Sequence, residues 1–203
     1  MKPLLSALMA MTLVFSGCTS MLQQERPQRQ FFALEVTRPG DPLPDPQFKG
    51  TLNVRNFTVS PAFNRRNLVY RMGEAAYESD YYNLFLVDPG ELVTQETTEW
   101  LRDANLFSAV IMPGSGLEYA YSLEGNLIEL YGDFAEGKGA AVVRIQFFLL
   151  RGQNGRSGVL LQKRYNHRVP LAERSPEALV QGYNQALAAI LSELVEDMTG
   201  IGP

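Results

Sequence analysis

The spacing of apolar positions changes several times along the chain, and those changes divide it into elements. From Thr51 to Val110 the sequence reads TLNVRNFTVSPAFNRRNLVYRMGEAAYESDYYNLFLVDPGELVTQETTEWLRDANLFSAV. Two short runs rich in β-branched and aromatic residues, Leu52 to Val59 and Asn67 to Met72, suit a pleated, half-buried surface. They flank a polar connector with Pro61 and Asn64-Arg65-Arg66. A third run, Tyr81 to Val87, leads into a helix. Asp88 stands at its N-cap position, Pro89 at its first helical position and Glu91 at the capping-box position. Val93, Thr97, Trp100, Leu101 and Ala104 then share one helical face. Asn105 tolerates the left-handed conformation that ends many helices, and Phe107 to Ile111 is again extended. Trp100 is the expected anchor between helix and sheet.

The flanking segments extend this pattern. Phe31 to Val36 is a first β-run, and the prolines at 39, 42, 44 and 46 make the next stretch a loop by removing backbone donors. Pro113-Gly114-Ser115-Gly116 is a turn. Leu117 to Leu130 is β-like, with Tyr119, Tyr121, Leu123 and Leu127 on one face and a slip of period near Gly125 that predicts a bulge. Ala140 to Leu150 is nearly all apolar, which predicts a central strand covered on both faces, Arg144 and Gln146 lying with Phe148. Gly152 to Gly158 turns the chain into a last strand, Val159 to Val169. Ser175-Pro176-Glu177 starts a final helix whose positions Leu179, Tyr183, Ala186, Leu187, Ile190, Leu194 and Met198 keep helical spacing until Gly200. The predicted fold is α+β: one domain over residues 31–203, with a mostly antiparallel or mixed β-sheet and two principal helices packed on it.

The first thirty residues change the picture from a free domain to an anchored one. Lys2, the apolar run Leu4 to Phe15, and Ser16-Gly17-Cys18 form a bacterial export signal ending in a lipobox, residues 1–17 being the removable part. The run is too short to remain as a membrane-spanning helix. Cys18 is the only cysteine, so it has no intramolecular disulfide partner. Its thiol and freed amine are the expected acylation points, and several acyl chains anchor a protein stably where one is marginal. Phe15 departs from the leucine more usual at its place, and Thr19 after the cysteine favours the outer membrane. Residues 18–30 are polar without an apolar face and form a flexible tether. The processed chain would carry 17 basic and 22 acidic residues, a net charge of −5. That balance disfavours nucleic acid and electrostatic docking of the whole domain to anionic lipid.

Candidate chemistry adds little. Gly132-Asp133-Phe134-Ala135-Glu136-Gly137-Lys138-Gly139 keeps phosphate-loop spacing through the lysine, but Gly139 replaces the magnesium-holding hydroxyl and a β-run follows where a helix is needed. A hairpin turn is the better reading. His167 is the only histidine and stands without motif partners, which marks it as a surface residue near a strand end. Glu96, Glu99 and Asp103 read as a solvated helix face. With Cys18 acylated no thiol remains for nucleophilic work. No enzyme activity, cofactor or metal is expected. Tyr77, Tyr81, Tyr82 and Phe85 form an aromatic cluster explained by a core, while Phe63, in its proline-flanked connector with Arg65 and Arg66, is the candidate anchor for a docked partner.

The order of pieces also resembles a known family. Leu52, Val54, Phe57, Val59, Pro61, Ala62, Phe63, Arg66, Leu68, Val69, Tyr70 and Arg71, followed by Tyr81, Tyr82, Phe85, Pro89, Trp100, Leu101, Leu106, Phe107 and Val110, are similar to the pattern of the ABC-type transport auxiliary lipoproteins of the PqiC type. The resemblance implies an outer-membrane lipoprotein facing the periplasm. It also implies work with an inner-membrane ABC permease and ATPase and an MCE-domain protein that moves lipid between membranes, the anchor fixing one end of the assembly. A homo-oligomer is left open. Lipobox, polar tether and small α/β domain also occur in outer-membrane lipoproteins that regulate cell-wall synthesis or assist an outer-membrane assembly machine.

Overall fold

The computed structural model describes residues 28–152 and 158–202, so Cys18, the export segment 1–17 and most of the 18–30 tether lie outside the described residues. Three long strands pair antiparallel in sequence order: β7 (Tyr121–Asp133), β8 (Ala140–Arg151) and β9 (Val159–Pro170). Between the first two, Gly137 (φ 58°) and Gly139 (φ 92°) take left-handed conformations that glycine enters without strain. The segment with phosphate-loop spacing is therefore the hairpin connector expected of it. β8 lies between β7 and β9, as its apolar run predicts. Both faces are covered only as far as Val143; beyond it Ile145, Phe147 and Leu149 are buried while Arg144, Gln146 and Phe148 are half-buried.

The other edge of β7 is shared in succession by three short parallel strands. β2 (Phe48–Val54) lies beside Tyr121–Leu123, β3 (Thr58–Val59) beside Asn126–Leu127, and β4 (Asn67–Arg71) beside Gly132–Asp133. The sheet then widens at both ends. β6 (Phe107–Ile111) runs parallel to β2; β5 (Tyr77–Phe85) runs antiparallel to β4 and carries β1 (Gln30–Phe32) parallel on its outer side. Among the described residues nine strands make one mixed, open sheet. With two helices, α1 (Pro89–Asp103) and α2 (Pro176–Ile201), this is the α+β single domain that the sequence predicts.

Both helices bury the predicted faces. Val93, Thr97, Trp100 and Leu101 of α1, its C-cap Ala104, and Leu179, Tyr183, Ala186, Leu187, Ile190, Leu194 and Met198 of α2 are each at most 2% exposed. α2 packs on β8 and β9 and touches α1, which packs on β6 and β3. The helix ends differ in detail from the expected ones. Asp88 occupies the N-cap with extended backbone, but its side chain makes no cap bond; its carbonyl accepts from Glu91 N (3.0 Å) and Leu92 N (3.1 Å). Ser175 does cap α2, its Oγ accepting from Ala178 N at 3.1 Å. Gly200 does not end α2, which continues to Ile201 before Gly202 (φ 72°). Asn105 takes the left-handed conformation expected of it (φ 52°), and its Nδ2 donates to the Leu43 carbonyl at 2.6 Å.

Three β-runs also shift. The first ends as a strand at Phe32, because Leu34 enters the core and the next two amides leave the sheet for the helix layer. Glu35 N donates to Asn184 Oδ1 (3.2 Å) and Val36 N to Glu96 Oε2 (2.9 Å). Glu96 is thus a strap point between chain start and α1, and burial raises its carboxyl pKa although the Val36 amide pulls the other way. The run predicted from Leu52 to Val59 splits into β2 and β3 around Phe57, whose amide donates to buried Thr94 Oγ1 (3.0 Å) and whose ring stands 5.5 Å from that of Phe147. Gly125 is the seat of that ring, since a Cβ there would lie 2.6 Å from it. The bulge expected near Gly125 falls between Leu127 and Glu129. The third run begins earlier, at Tyr77 rather than Tyr81, and ends at Phe85.

The end of β7 is fixed by charge. Asp133 is 2% exposed and takes Arg71 Nε at 2.9 Å, a second bond from Arg71 Nη2, one from Arg168 Nη1 across β8, and Ala135 N at 3.3 Å. These donors, Arg71 foremost, outweigh burial and hold its pKa at about 2. The ordinary carboxylate value is 3.8, so the stabilisation is complete above that pH and is lost as pH falls through about 2. At about 1.4 kcal/mol per unit it amounts to roughly 2 kcal/mol.

Two measurements check this description. Thermal or denaturant unfolding should show Trp100→Ala costing about 3–5 kcal/mol and Ser175→Ala about 0.5–2 kcal/mol, with Asp88→Ala close to neutral. In unfolding followed from pH 6 down to pH 2, Asp133→Asn should flatten the loss of stability seen below pH 4 in the natural chain.

Candidate functional site

β5 leaves its neighbour in a way that pushes two tyrosines outward. Asn67 pairs with Leu84 and Val69 with Ser79, so β4 advances two residues while β5 advances five. Asp80 holds the extra residues. Its Oδ1 accepts from Tyr82 N (2.8 Å) and Asn83 N (3.0 Å), its Oδ2 from Tyr70 Oη (2.6 Å) and Asn83 Nδ2 (2.8 Å), and its carbonyl from Asn67 Nδ2 (2.6 Å). Burial alone would raise the Asp80 pKa, but the bonds from Tyr70, Asn83 and the two amides together hold it below the ordinary value. Tyr70, desolvated and bound to that carboxylate, is raised in turn. Bulges of this kind re-aim side chains at sheet edges. Here the result is Tyr81 at 62% exposure and Tyr82 at 40%, their rings 5.1 Å apart and nearly perpendicular.

The same edge continues through β1. Phe31, 53% exposed, pairs with Leu84 and lies under the Arg66 guanidinium, 5.5 Å from its ring centre. Arg66 is held there by its Nε bond to the Phe85 carbonyl (2.9 Å). Arg29 lies 4.5 Å over Tyr81, an arrangement favoured by the negative ring face. Leu86 and Val87, both exposed, follow at the far end of β5. Three aromatic rings, two stacked arginines and two aliphatic residues therefore sit where the described chain begins.

The residues proposed from sequence as docking anchors are separated by the fold. Phe63 is 8% exposed, stacked on Tyr131 at 5.8 Å and edge-on to Tyr77 at 6.4 Å, so its ring serves the core. Arg66 belongs to the aromatic edge, and Arg65 beside it is exposed. Cys18 lies outside the described residues. His167 is not a free strand-end residue: its Nε2 is 2.7 Å from Glu193 Oε1 on α2, next to the bonds from Lys163 Nζ and Tyr165 Oη to Asp197 (2.6 Å each). Glu99 pairs with Arg102 on the solvent side of α1. Of the expected tyrosine cluster only Phe85 is fully buried; Tyr77, Tyr81 and Tyr82 are exposed to 40% or more. Regular alternation would put one of two adjacent tyrosines on the solvent face, so Tyr81-Tyr82 after the polar Ser79-Asp80 pair was the available signal for the edge; at the bulge both rings are exposed and in contact.

A second concavity, of about 310 Å³, lies where β4 and β5 meet the start of α2, lined by Tyr70, Met72, Asp80, Phe134, Arg174 and Ser175 among others. Arg174 lies in its lining, over the Phe134 ring at 4.7 Å. Among the described residues there is no group of three or more His, Cys, Asp or Glu side chains arranged to hold a metal, and no helix is long and apolar enough to cross a membrane.

Comparison with known proteins gives the fold a context. The family model described as ABC-type transport auxiliary lipoprotein component matches residues 32–195. No curated protein sequence matches the chain. Among solved structures, the protein XCC0632 from Xanthomonas campestris superposes with a TM-score of 0.70 at 18% identity, covering 82% of this chain and 92% of its own. An uncharacterized protein gives 0.67 at 12% identity, covering 84% and 99%. The hypothetical protein CT253 from Chlamydia trachomatis gives 0.50 at 9% identity, covering 74% and 98%. These three likenesses concern the fold.

Asp80→Ala should release the bulge while leaving the sheet folded. Amide hydrogen exchange at Tyr82 and Asn83 should accelerate at least about tenfold, in keeping with about 1–3 kcal/mol for groups left unsatisfied. Exchange in β8 should stay unchanged.

Proposed function

Because this chain belongs to the family of ABC-type transport auxiliary lipoprotein components, we propose that it is a periplasmic accessory, lipid-anchored through Cys18 to the outer membrane, of an ABC transport system that moves lipid between membranes by way of an MCE-domain protein. The observation that carries the reading is the family match over residues 32–195, which takes in α1, most of α2 and every strand from β2 to β9. The geometry supports a docking role. Sheet and helices close their apolar faces on one another in a single core, and the surface concavities, of about 310 to 490 Å³, are each lined in part by charged side chains. The domain would hold partners in place while the permease and ATPase supply channel and energy.

Two experiments test this function. Cys18→Ser, expressed in a bacterial host with metabolic acyl labelling, should lose the label and leave the membrane fraction; retention with label intact would remove the anchor from the scheme. The mature domain should capture an MCE-domain protein encoded in the same genome. Capture of a cell-wall synthase or an outer-membrane assembly component instead would replace the transport reading with the corresponding alternative.

A further inference from the structure

We infer that the aromatic edge of β1 and β5 is a membrane-contact surface that lays the domain against the phospholipid leaflet holding its own anchor. The inference rests on the reading of Cys18 as the acylated residue. Cys18 precedes Gln28, the first described residue, by ten positions, and ten residues span at most about 36 Å. β1 starts two residues later, and Arg29 at the mouth of the tether is stacked on Tyr81. The part of the fold that the anchor keeps nearest to lipid is therefore the part that exposes Phe31, Tyr81 and Tyr82.

The chemistry of the edge fits a headgroup layer. Tyrosine combines an apolar ring with a polar tip and concentrates at membrane–water interfaces, while a phenylalanine adds apolar area that sinks below the headgroups. Arg29 and Arg66 stand over these rings and Arg65 is exposed beside them, three cations placed to meet lipid phosphates. The carboxylate next in sequence to the tyrosines, Asp80, is half-buried and occupied by four donors, which weakens its opposition to that attraction; Glu78, earlier on β5, is exposed and faces the concavity with Asp80. A chain of net charge −5 thus keeps a local cationic and aromatic edge where the lipid would be. A single anchor leaves a domain free to tumble; contact at this edge would fix its orientation and direct the opposite edge of the sheet, at β9, away from the leaflet. Arg65 and Arg66 are accordingly assigned to lipid and not to the protein partner.

Orientation can be read with an indole placed at the edge. The mature acylated protein carrying Tyr82→Trp is reconstituted into vesicles of phosphatidylethanolamine with about one quarter phosphatidylglycerol, using lipids brominated near the glycerol end of the acyl chains. Trp100 is 2% exposed and serves as the internal reference. Bromolipid should quench the variant at least about threefold more than the parent protein, and Arg29→Glu with Arg65→Glu should remove most of the difference. Quenching equal to that of the parent overturns the inference. So does a result in which Phe31→Ser with Tyr81→Ser abolishes capture of the MCE-domain protein in detergent while quenching persists, because the edge would then belong to a protein. Mass spectrometry of the same preparation reports acylation of Cys18 separately. If Cys18 is unmodified, vesicle co-sedimentation of the mature chain with and without Phe31→Ser and Tyr81→Ser decides the question: loss of at least about tenfold in binding supports lipid contact, and no change refutes it. Circular dichroism confirms that each variant is folded.

Discussion

Backbone hydrogen bonding along β7 is the constraint from which the rest of the domain follows. A buried strand must satisfy its amides and carbonyls on both edges. One edge is filled by β8 in a single hairpin ladder; the other is filled piecewise by β2, β3 and β4, each parallel to β7 and each too short to do it alone. The chain can deliver three parallel pieces only by leaving the sheet between them. Phe57 turning onto Gly125 is one of those exits, and the connector carrying Phe63 beneath Tyr77 and Tyr131 is another. Asp133 then closes the end of β7 by binding arginines from β4 and β9, the two strands on either side that arrive last.

Much of this was readable from the chain. Helical periodicity located α1 and α2, and every residue it placed on their inner faces is buried, although Leu92, Thr94 and Thr98 of α1 and Val180 and Leu191 of α2 are buried beside them. The long apolar run of β8 gave its central position. Short strands were less legible. Phe57, Gly125 and Thr94 have no local signature, since what interrupts β2 and β3 is a ring seated on a glycine some seventy residues away. Asp88 shows the limit of motif reading: residue type and backbone are right for a cap, yet the backbone carbonyl alone receives the helix amides. Phe63 shows the same limit for the candidate site, as an aromatic in a polar connector serves a core equally well when that connector folds over the sheet.

The aromatic edge joins local chemistry to the function of the family. It exists because Asp80 gathers four donors and thereby stabilises residues that β4 leaves unpaired. Half-buried, that carboxylate would lose hydration without replacement if they were absent; with them it becomes a support for two exposed tyrosines. A domain that docks partners needs a defined attitude to its membrane and a firm body, and neither requires an internal binding cavity. The concavity beside α2 is small and is lined by Met72 and Phe134 as well as by Asp80 and Arg174.

Whether the domain docks partners or itself carries lipid is decided most directly by weighing what it holds. The mature chain with Cys18→Ser, purified without detergent from cells that make the transport system, can be extracted and its phospholipid quantified by mass spectrometry against protein. A docking module should contain well under about 0.1 phospholipid per chain. About one phospholipid per chain, retained through gel filtration, would contradict the docking role and make the domain a lipid carrier.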